Sequence, residues 1–215
     1  MRMIIASVFF MMFVGVGCVE MLLPSPPQLV TEEQLETQEE FIPEEPSLPK
    51  LQLPSHYNLP PEDSRRALSQ IEFSMRNLDS FSWTAGPVSP ARLQRAAKKA
   101  RLDGILLTNC ELEHLKALLA MNRPPVVILR SIVGGPHFWA VMGYDDEFEQ
   151  FLLVNPLQNS AIRMMYDEFE MSWNAASDLQ NCLIISASAI TPEHLRLNLS
   201  RYLPEEMLMG LKIRD

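Results

Sequence analysis

Cysteine is scarce in this chain, which has only three among its 215 residues: Cys18, Cys110 and Cys182. This number excludes a framework of several disulfides, and no pair has the C-x-x-C spacing typical of metal sites. In an oxidising compartment, Cys110 and Cys182 could form one disulfide. The sequence does not give the geometry that decides whether they do. Asp145 and Asp146 also lack further carboxylates at ligand spacing. We therefore expect neither a metal nor another cofactor.

Positive charge is also in short supply. Lys and Arg total 18 against 27 Asp and Glu, and the formal net charge is −9. Such an acidic balance argues against nucleic acid or an anionic lipid surface as a partner. One basic run lies between Arg92 and Arg101. Charges on a helical pattern are most often a solvated face, and a docking patch is the alternative.

The apolar run at the start of the chain is too short for a bilayer, which takes about 20 apolar residues. It extends from Met3 to Val16, and Glu20 interrupts any continuation. A short apolar run behind a single positive charge, Arg2, is typical of an export signal, which we assign to residues 1–17. A plain membrane anchor is the alternative.

The export signal leads to Cys18, and there it resembles the signal of bacterial lipoproteins. That resemblance implies a lipid on Cys18, which would become the mature N-terminus. Gly15 departs from the Leu or Val usual at its position, and a cleaved secretory signal is the alternative. Val19 stands where an Asp would resemble an inner-membrane retention signal. We therefore expect a lipoprotein of the bacterial cell envelope, held in the outer membrane.

Residues 18–62 are rich in proline and acidic side chains. Nine of the 17 prolines lie between Val19 and Asp63, and Lys50 is the only Lys or Arg there. Such a segment buries too little apolar surface to offset its ordering entropy, and prolines and like charges extend it. We predict a tether that ends at a folded domain, residues 63–190, followed by a helical extension, residues 191–215.

The patterns of residues 63–190 predict an α+β fold in which N-terminal helices pack on an antiparallel sheet. Apolar residues at helical spacing predict a first helix up to Leu78, in which Ser64 is the N-cap. A second helix is predicted to begin at Ser89-Pro90 and stop at Gly104, and Thr108 with Glu111 is a capping-box pattern for a third. Further patterns predict strands at 126–129, 138–144, 151–154, 162–164 and 182–186, a helix around 166–173, and two short helices that start at Thr191-Pro192 and at Pro204.

His137 and Asn155 are the strongest candidates for chemistry. His137 begins one predicted strand, and Asn155, followed by Pro156, ends the next. Hairpin strands bring such residues within reach of each other. An Asn that accepts one imidazole N–H leaves the other ring nitrogen free to act as a base, as in papain-type cysteine hydrolases. The alternative is a structural His beside Phe138 and Trp139.

Four runs at these positions resemble the papain-like bacteriocin-processing peptidases, the peptidase C-39-like group. They are LKALLAMNRPPVVIL, PHFWAVMGYDDE, FLLVNP and YDEFEMSWN, and the resemblance covers about residues 56–187. It implies a papain-like fold with His137 as general base and Asn155 as the residue that orients it.

The same resemblance implies that the nucleophile is missing. Ser64 stands where the family has its catalytic Cys, Asn58 stands at the oxyanion Gln, and Arg65 replaces the flexible Gly. A serine hydroxyl forms no stable thiolate-like anion, and loss of one oxyanion donor alone lowers rates by about 10²–10³. We expect a non-catalytic module that binds a peptide or protein partner in the envelope.

An active peptidase or amidase-type hydrolase is the alternative function. It would use His137 and Asn155 with Ser64, or with Cys110 as a displaced nucleophile in the first turn of a helix. Cys182, within an apolar strand, is most simply a small core residue. A structural envelope lipoprotein is the third and plainest possibility.

Overall fold

A computed structural model describes residues 49–78, 89–130, 135–176 and 180–215. These residues form a mixed α/β structure with eight strands in one antiparallel sheet and six helices, which confirms the predicted combination of helices and an antiparallel sheet. The export signal, Cys18 and the tether up to residue 48 lie outside the described residues. None of the described helices is long and apolar enough to span a membrane.

The strands and helices alternate along the chain rather than following one another in two blocks. The strands are β1 His56–Asn58, β2 Asp103–Thr108, β3 Val126–Arg130, β4 Pro136–Asp145, β5 Gln150–Asn155, β6 Ser160–Met165, β7 Asn181–Ser186 and β8 Lys212–Arg214. The helices are α1 Pro61–Arg76, α2 Pro90–Lys99, α3 Leu112–Ala120, α4 Tyr166–Ala176, α5 Pro192–Leu199 and α6 Glu205–Met209.

The sheet has the strand order β6-β5-β4-β3-β7-β2-β8, and β1 pairs with β4. β4 is the longest strand and has three partners. Its first half pairs with β3, from Val126 opposite Ala140 to Arg130 opposite Pro136. Its second half pairs with both β5 and β1. The end of β4 is therefore the point at which the first described strand joins the sheet.

The sheet separates two hydrophobic clusters because alternate residues of a strand point to opposite faces. On one face, α3 and α4 contribute buried side chains such as Leu118, Phe169 and Trp173, together with leucines of residues 195–211. On the other face, Ile71 and Met75 of α1 and Leu93 of α2 form one cluster with side chains of the central strands, among them Phe138, Ala140 and Met142 of β4. The central strands are covered on both sides, which explains why they are continuous apolar runs.

The folded part begins before the predicted boundary at residue 62. β1 lies inside the sheet, Leu59 is buried, and α1 already begins at Pro61. Residues 56–62 thus belong to the domain and not to the tether. The last 25 residues are not a separate extension either, since leucines of α5 and α6 are buried in the main core and β8 pairs with β2.

Three predicted helix ends are wrong in detail. The N-cap of α1 is Pro60, and Ser64 lies in the first turn. α2 begins after Ser89 as predicted, but it ends at Lys99, and two residues later Arg101 adopts a left-handed backbone (φ 60°). Gly104, the predicted stop of this helix, lies within β2. Thr108, which was predicted to cap α3, is the last residue of β2. The capping box of α3 instead pairs Glu111 with His114, and His is a residue type outside the usual capping-box pattern.

His114 caps α3 from inside the protein core. Its side chain is fully buried; Nδ1 accepts the N–H of Glu111 at 2.9 Å, and Nε2 lies 3.0 Å from the carbonyl oxygen of Met207. These contacts require a neutral ring that carries its proton on Nε2. Burial lowers the pKa of His114 from its ordinary value of 6.5, although the Met207 carbonyl and nearby Glu side chains oppose the shift.

We expect acid to destabilise the fold through His114. Below pH 6.5 the unfolded chain binds a proton that the folded His114 resists, so the stabilisation present above pH 6.5 is lost as the pH falls. His114→Asn, which keeps an acceptor for the Glu111 N–H, should lower the free energy of unfolding at neutral pH by about 1–2 kcal/mol. It should also weaken the acid dependence, measured by urea unfolding between pH 5 and 8. His194→Asn is the control, because His194 is exposed. An unchanged pH profile in His114→Asn would contradict this assignment.

Gly143 allows β1 to pair closely with β4. A Cβ atom at this position would overlap the side chain of Asn58 and lie 2.7 Å from the carbonyl oxygen of Tyr57. Because the second contact is with backbone, side-chain movement alone cannot relieve it. Gly143→Ala should therefore lower the free energy of unfolding by about 2–3 kcal/mol, measured by urea denaturation. Gly210→Ala is the matched control, since nothing lies within 4 Å of its Cβ position. Equal stability of the two variants would show that β1 is not held as described.

Candidate functional site

His137 is the second residue of β4 and pairs with Leu129 of β3. Directly paired residues of an antiparallel sheet share a face, so His137 lies on the same face as the core residue Leu129. Its side chain is nevertheless exposed. It makes no hydrogen bond or ion pair with any described residue. The imidazole is thus accessible to a partner but is not oriented by the parts of the chain that the structure describes.

Asn155 ends β5 on that same face of the sheet. Ala140 pairs with Val154, so the register continued by one residue sets Trp139 opposite Asn155 and His137 diagonal to it. Diagonal neighbours on one face are about 7–8 Å apart. The predicted proximity of His137 and Asn155 thus agrees with the strand register. No hydrogen bond joins them.

The side-chain oxygen of Asn155 serves the turn after β5. It accepts the N–H of Leu157 at 3.0 Å and the N–H of Gln158 at 3.2 Å, and the residue is buried. An amide oxygen has two lone pairs, and both have a donor here. The amide nitrogen only donates. In this arrangement Asn155 has no acceptor left for an imidazole N–H, so it stabilises the β5–β6 turn and does not orient His137.

Ser64 and Asn58 are engaged at the other end of β4. The Ser64 hydroxyl donates to the carbonyl oxygen of Leu59 at 3.1 Å, and the Leu59 N–H donates to the carbonyl oxygen of Met142 at 2.8 Å. Met142 lies five residues beyond His137, about 16 Å along an extended strand. Asn58 is exposed, and its amide nitrogen lies 2.9 Å from Nε2 of His56. No hydrogen bond therefore joins any two of the four predicted site residues.

Cys110 precedes α3 and is not in its first turn as predicted, since the helix begins at Leu112 after Glu111. Its side chain is fully buried in the core, and its Sγ lies 3.6 Å from Sγ of Cys182. Both cysteines are free. A nucleophile must reach its substrate, so this burial removes the reason for considering Cys110. Burial also raises the pKa of the Cys182 thiol, and its contact with Cys110 adds to the shift.

A pair formed by His56 and the carboxylate of Asp145 was not predicted from the sequence. Nδ1 of His56 lies 3.2 Å from Oδ2 of Asp145, while Oδ1 of Asp145 accepts the N–H groups of Glu147 and Phe148. Asp145 thus stabilises the turn after β4. The pairing itself follows from the register in which His56 lies opposite Asp145. Among the described residues, no serine hydroxyl or cysteine thiol contacts His56.

Asp146 joins α3 to this turn. Its Oδ1 lies 2.7 Å from Nζ of Lys116 and accepts the hydroxyl of Tyr166 at 2.8 Å. The same ammonium lies 4.6 Å from the ring centroid of Tyr166 and 5.7 Å from that of Tyr144. Burial raises the pKa of both tyrosines, and for Tyr166 the hydrogen bond to Asp146 adds to the shift. All these groups have partners, so the cluster is structural. No group of three or more potential ligands that could hold a metal occurs among the described residues.

Two neighbouring cavities lie on the described domain. The larger, about 290 Å³, lies between α1, the α3–β3 connection and the end of β7, and Arg66, Gln70 and Ser188 are among its lining residues. The smaller, about 190 Å³, lies beside α5. Both are lined by Met121 and Arg123, so they adjoin. We call the larger one the α1 groove and the smaller one the α5 pocket.

The α5 pocket is lined by cationic and neutral residues without a carboxylate. Its polar residues are Arg123, His194, Asn198, Arg201 and Tyr202. Nη1 of Arg123 donates to the Ser186 hydroxyl at 2.9 Å. Nε of Arg201 is buried and has no hydrogen-bond partner. A buried N–H without an acceptor is unusual in a protein. The guanidinium groups of Arg123 and Arg201 make the lining of the pocket cationic, which suits an anionic group.

In comparisons with known proteins, no family model, no curated protein and no solved structure matches the chain. The resemblance to C-39-like peptidases rests on the sequence runs quoted above and stays a prediction.

Substitution of Asn155 tests whether this residue stabilises the β5–β6 turn. Asn155→Ala should lower the free energy of unfolding by about 1 kcal/mol, because the turn N–H groups of Leu157 and Gln158 lose their acceptor. His137→Ala should change it by less than about 0.5 kcal/mol, since the side chain is exposed and makes no described bond. Asn155→Asp keeps an acceptor and is the matched control. Urea unfolding measures all three, and an Asn155→Ala protein as stable as the wild type would contradict the turn role.

Proposed function

We propose that this chain is an envelope lipoprotein whose folded domain is a degenerate, papain-like module that binds a peptide or protein without cleaving it. The observation that carries the proposal is the separate engagement of the predicted site residues. The Ser64 hydroxyl donates to the carbonyl oxygen of Leu59, the Asn155 oxygen accepts two turn N–H groups, and neither is hydrogen-bonded to His137. A hydrolase needs its nucleophile, base and orienting group within hydrogen-bond reach of one another.

The α1 groove and the α5 pocket are the binding surface in this proposal. The groove borders α1, the helix that carries Ser64, and provides donors and acceptors suited to an extended backbone. The adjoining pocket contains Arg123 and Arg201 and no carboxylate among its lining residues. Guanidinium groups bind carboxylates through charge-assisted hydrogen bonds. A peptide segment in the groove would thus place an acidic side chain or its C-terminal carboxylate in the pocket.

Affinity selection from a random peptide library tests this proposal on the full chain. The wild type should retain peptides. Arg201→Gln should weaken the binding of a retained peptide about tenfold or more, because a charge-assisted hydrogen bond contributes about 1.5–3 kcal/mol. Gln70→Trp should also weaken it by filling the groove. Arg65→Gln is the matched control, since Arg65 is exposed on α1 and does not line the groove.

The same assay separates binding from catalysis. Peptides recovered after long incubation should be intact by mass spectrometry, and His137→Ala should bind as the wild type does. Cleavage that disappears in His137→Ala would overturn the proposal in favour of a hydrolase. If the wild type retains no more peptide than the Arg201→Gln and Gln70→Trp variants do, the assigned binding surface is wrong.

A further inference from the structure

Cys110 and Cys182 lie side by side in the core although 72 residues separate them in the chain. Both side chains are fully buried, and their sulfur atoms are 3.6 Å apart. A disulfide requires about 2.05 Å between the sulfurs, so the two need to approach by only about 1.5 Å. Neither cysteine takes part in the proposed binding surface.

The backbone holds these two positions in register from both sides. Thr108 at the end of β2 pairs with Asn181 of β7, and the N–H of Cys110 donates to the carbonyl oxygen of Gln180 at 2.9 Å. The two segments are therefore aligned independently of the sulfur atoms. A disulfide depends on such an alignment of the two backbone positions.

We propose that Cys110 and Cys182 form a structural disulfide when the chain folds under oxidising conditions. It would tie the segment before α3 to β7. The closed loop contains α3, β3–β6 and α4, and so includes both His137 and Asn155. Cross-linking so long a loop restricts the unfolded chain strongly, which stabilises the fold.

The chemistry requires a disulfide-containing oxidant, such as oxidised glutathione or a thiol–disulfide oxidase. The thiolate of Cys110 attacks that disulfide, forms a mixed disulfide and releases one thiol of the oxidant. The thiolate of Cys182 then attacks the sulfur of Cys110 and releases the second thiol. The two cysteines lose two protons and two electrons, and the oxidant gains them as two thiols.

This exchange takes place before the core is complete. In the folded protein both sulfurs are closed to solvent, and burial raises the pKa of the Cys182 thiol, which disfavours the attacking thiolate. In the opened chain the thiols are accessible. Once β2 and β7 pair, the register brings the sulfurs together and excludes other partners.

Refolding the full chain tests the proposal without reference to binding or localisation. A Cys18→Ser background removes the third thiol. The chain is unfolded, then refolded either with oxidised and reduced glutathione or with an excess of reductant, and digested after alkylation. In the glutathione sample we expect a cross-linked peptide pair that contains Cys110 and Cys182. The oxidised protein should melt roughly 10 °C higher than the reduced protein.

The double variant Cys110→Ala, Cys182→Ala is the control, and its melting temperature should not respond to reductant. Two outcomes would overturn the proposal. In one, both thiols are alkylated or carry only glutathione after oxidative refolding. In the other, the cross-linked protein melts no higher than the reduced one. Because both main samples have the same sequence, a poorly folding double variant does not affect the comparison.

Discussion

The pairing of β1 with β4 is the contact on which the candidate site depends. β1 approaches so closely at Gly143 that no side chain fits there. The next N–H, from Leu59, then donates to Met142, and the chain turns into α1 two residues later. The position of α1 over one face, and with it the wall of the α1 groove, follows from this short strand. The hydrophobic cluster beneath α1 extends the same contact, since Leu59 is one of its buried members.

The sequence predicted the strands whose signal is a local apolar run. Val126–Arg130 and Asn181–Ser186 lie in the middle of the sheet with helices on both faces, so nearly every residue is apolar. β1 and β8 have three residues each and alternate in exposure, which leaves no run to detect. β2 was missed for another reason. Gly104, read as a helix stop, lies within this strand opposite Ile185.

The candidate site was predictable in position but not in function. Two apolar runs joined by an acidic turn place His137 and Asn155 on neighbouring strands, and the register agrees. An Asn at a strand end is also a turn-forming residue, because its oxygen accepts N–H groups two and three residues later. Sequence alone does not decide between these roles, since both use the same oxygen. The His56–Asp145 pair could not be predicted, because its partners are 89 residues apart and one belongs to an unpredicted strand.

Each hydrogen bond of the Ser64 hydroxyl and of the Asn155 oxygen contributes only about 1 kcal/mol to stability. The need to break these bonds would therefore not by itself prevent the side chains from moving into a catalytic arrangement. The stronger constraint is the chemistry of the nucleophile. A papain-type site works because an imidazolium and a helix N-terminus stabilise a thiolate. A serine hydroxyl must instead lose its proton to a base in contact with it, and here that proton is directed at the Leu59 carbonyl. The two thiols of the described residues, Cys110 and Cys182, are enclosed in the core, and burial raises the pKa of the Cys182 thiol. Among the described residues, the accessible imidazole of His137 and the buried thiols of Cys110 and Cys182 thus lie in separate environments.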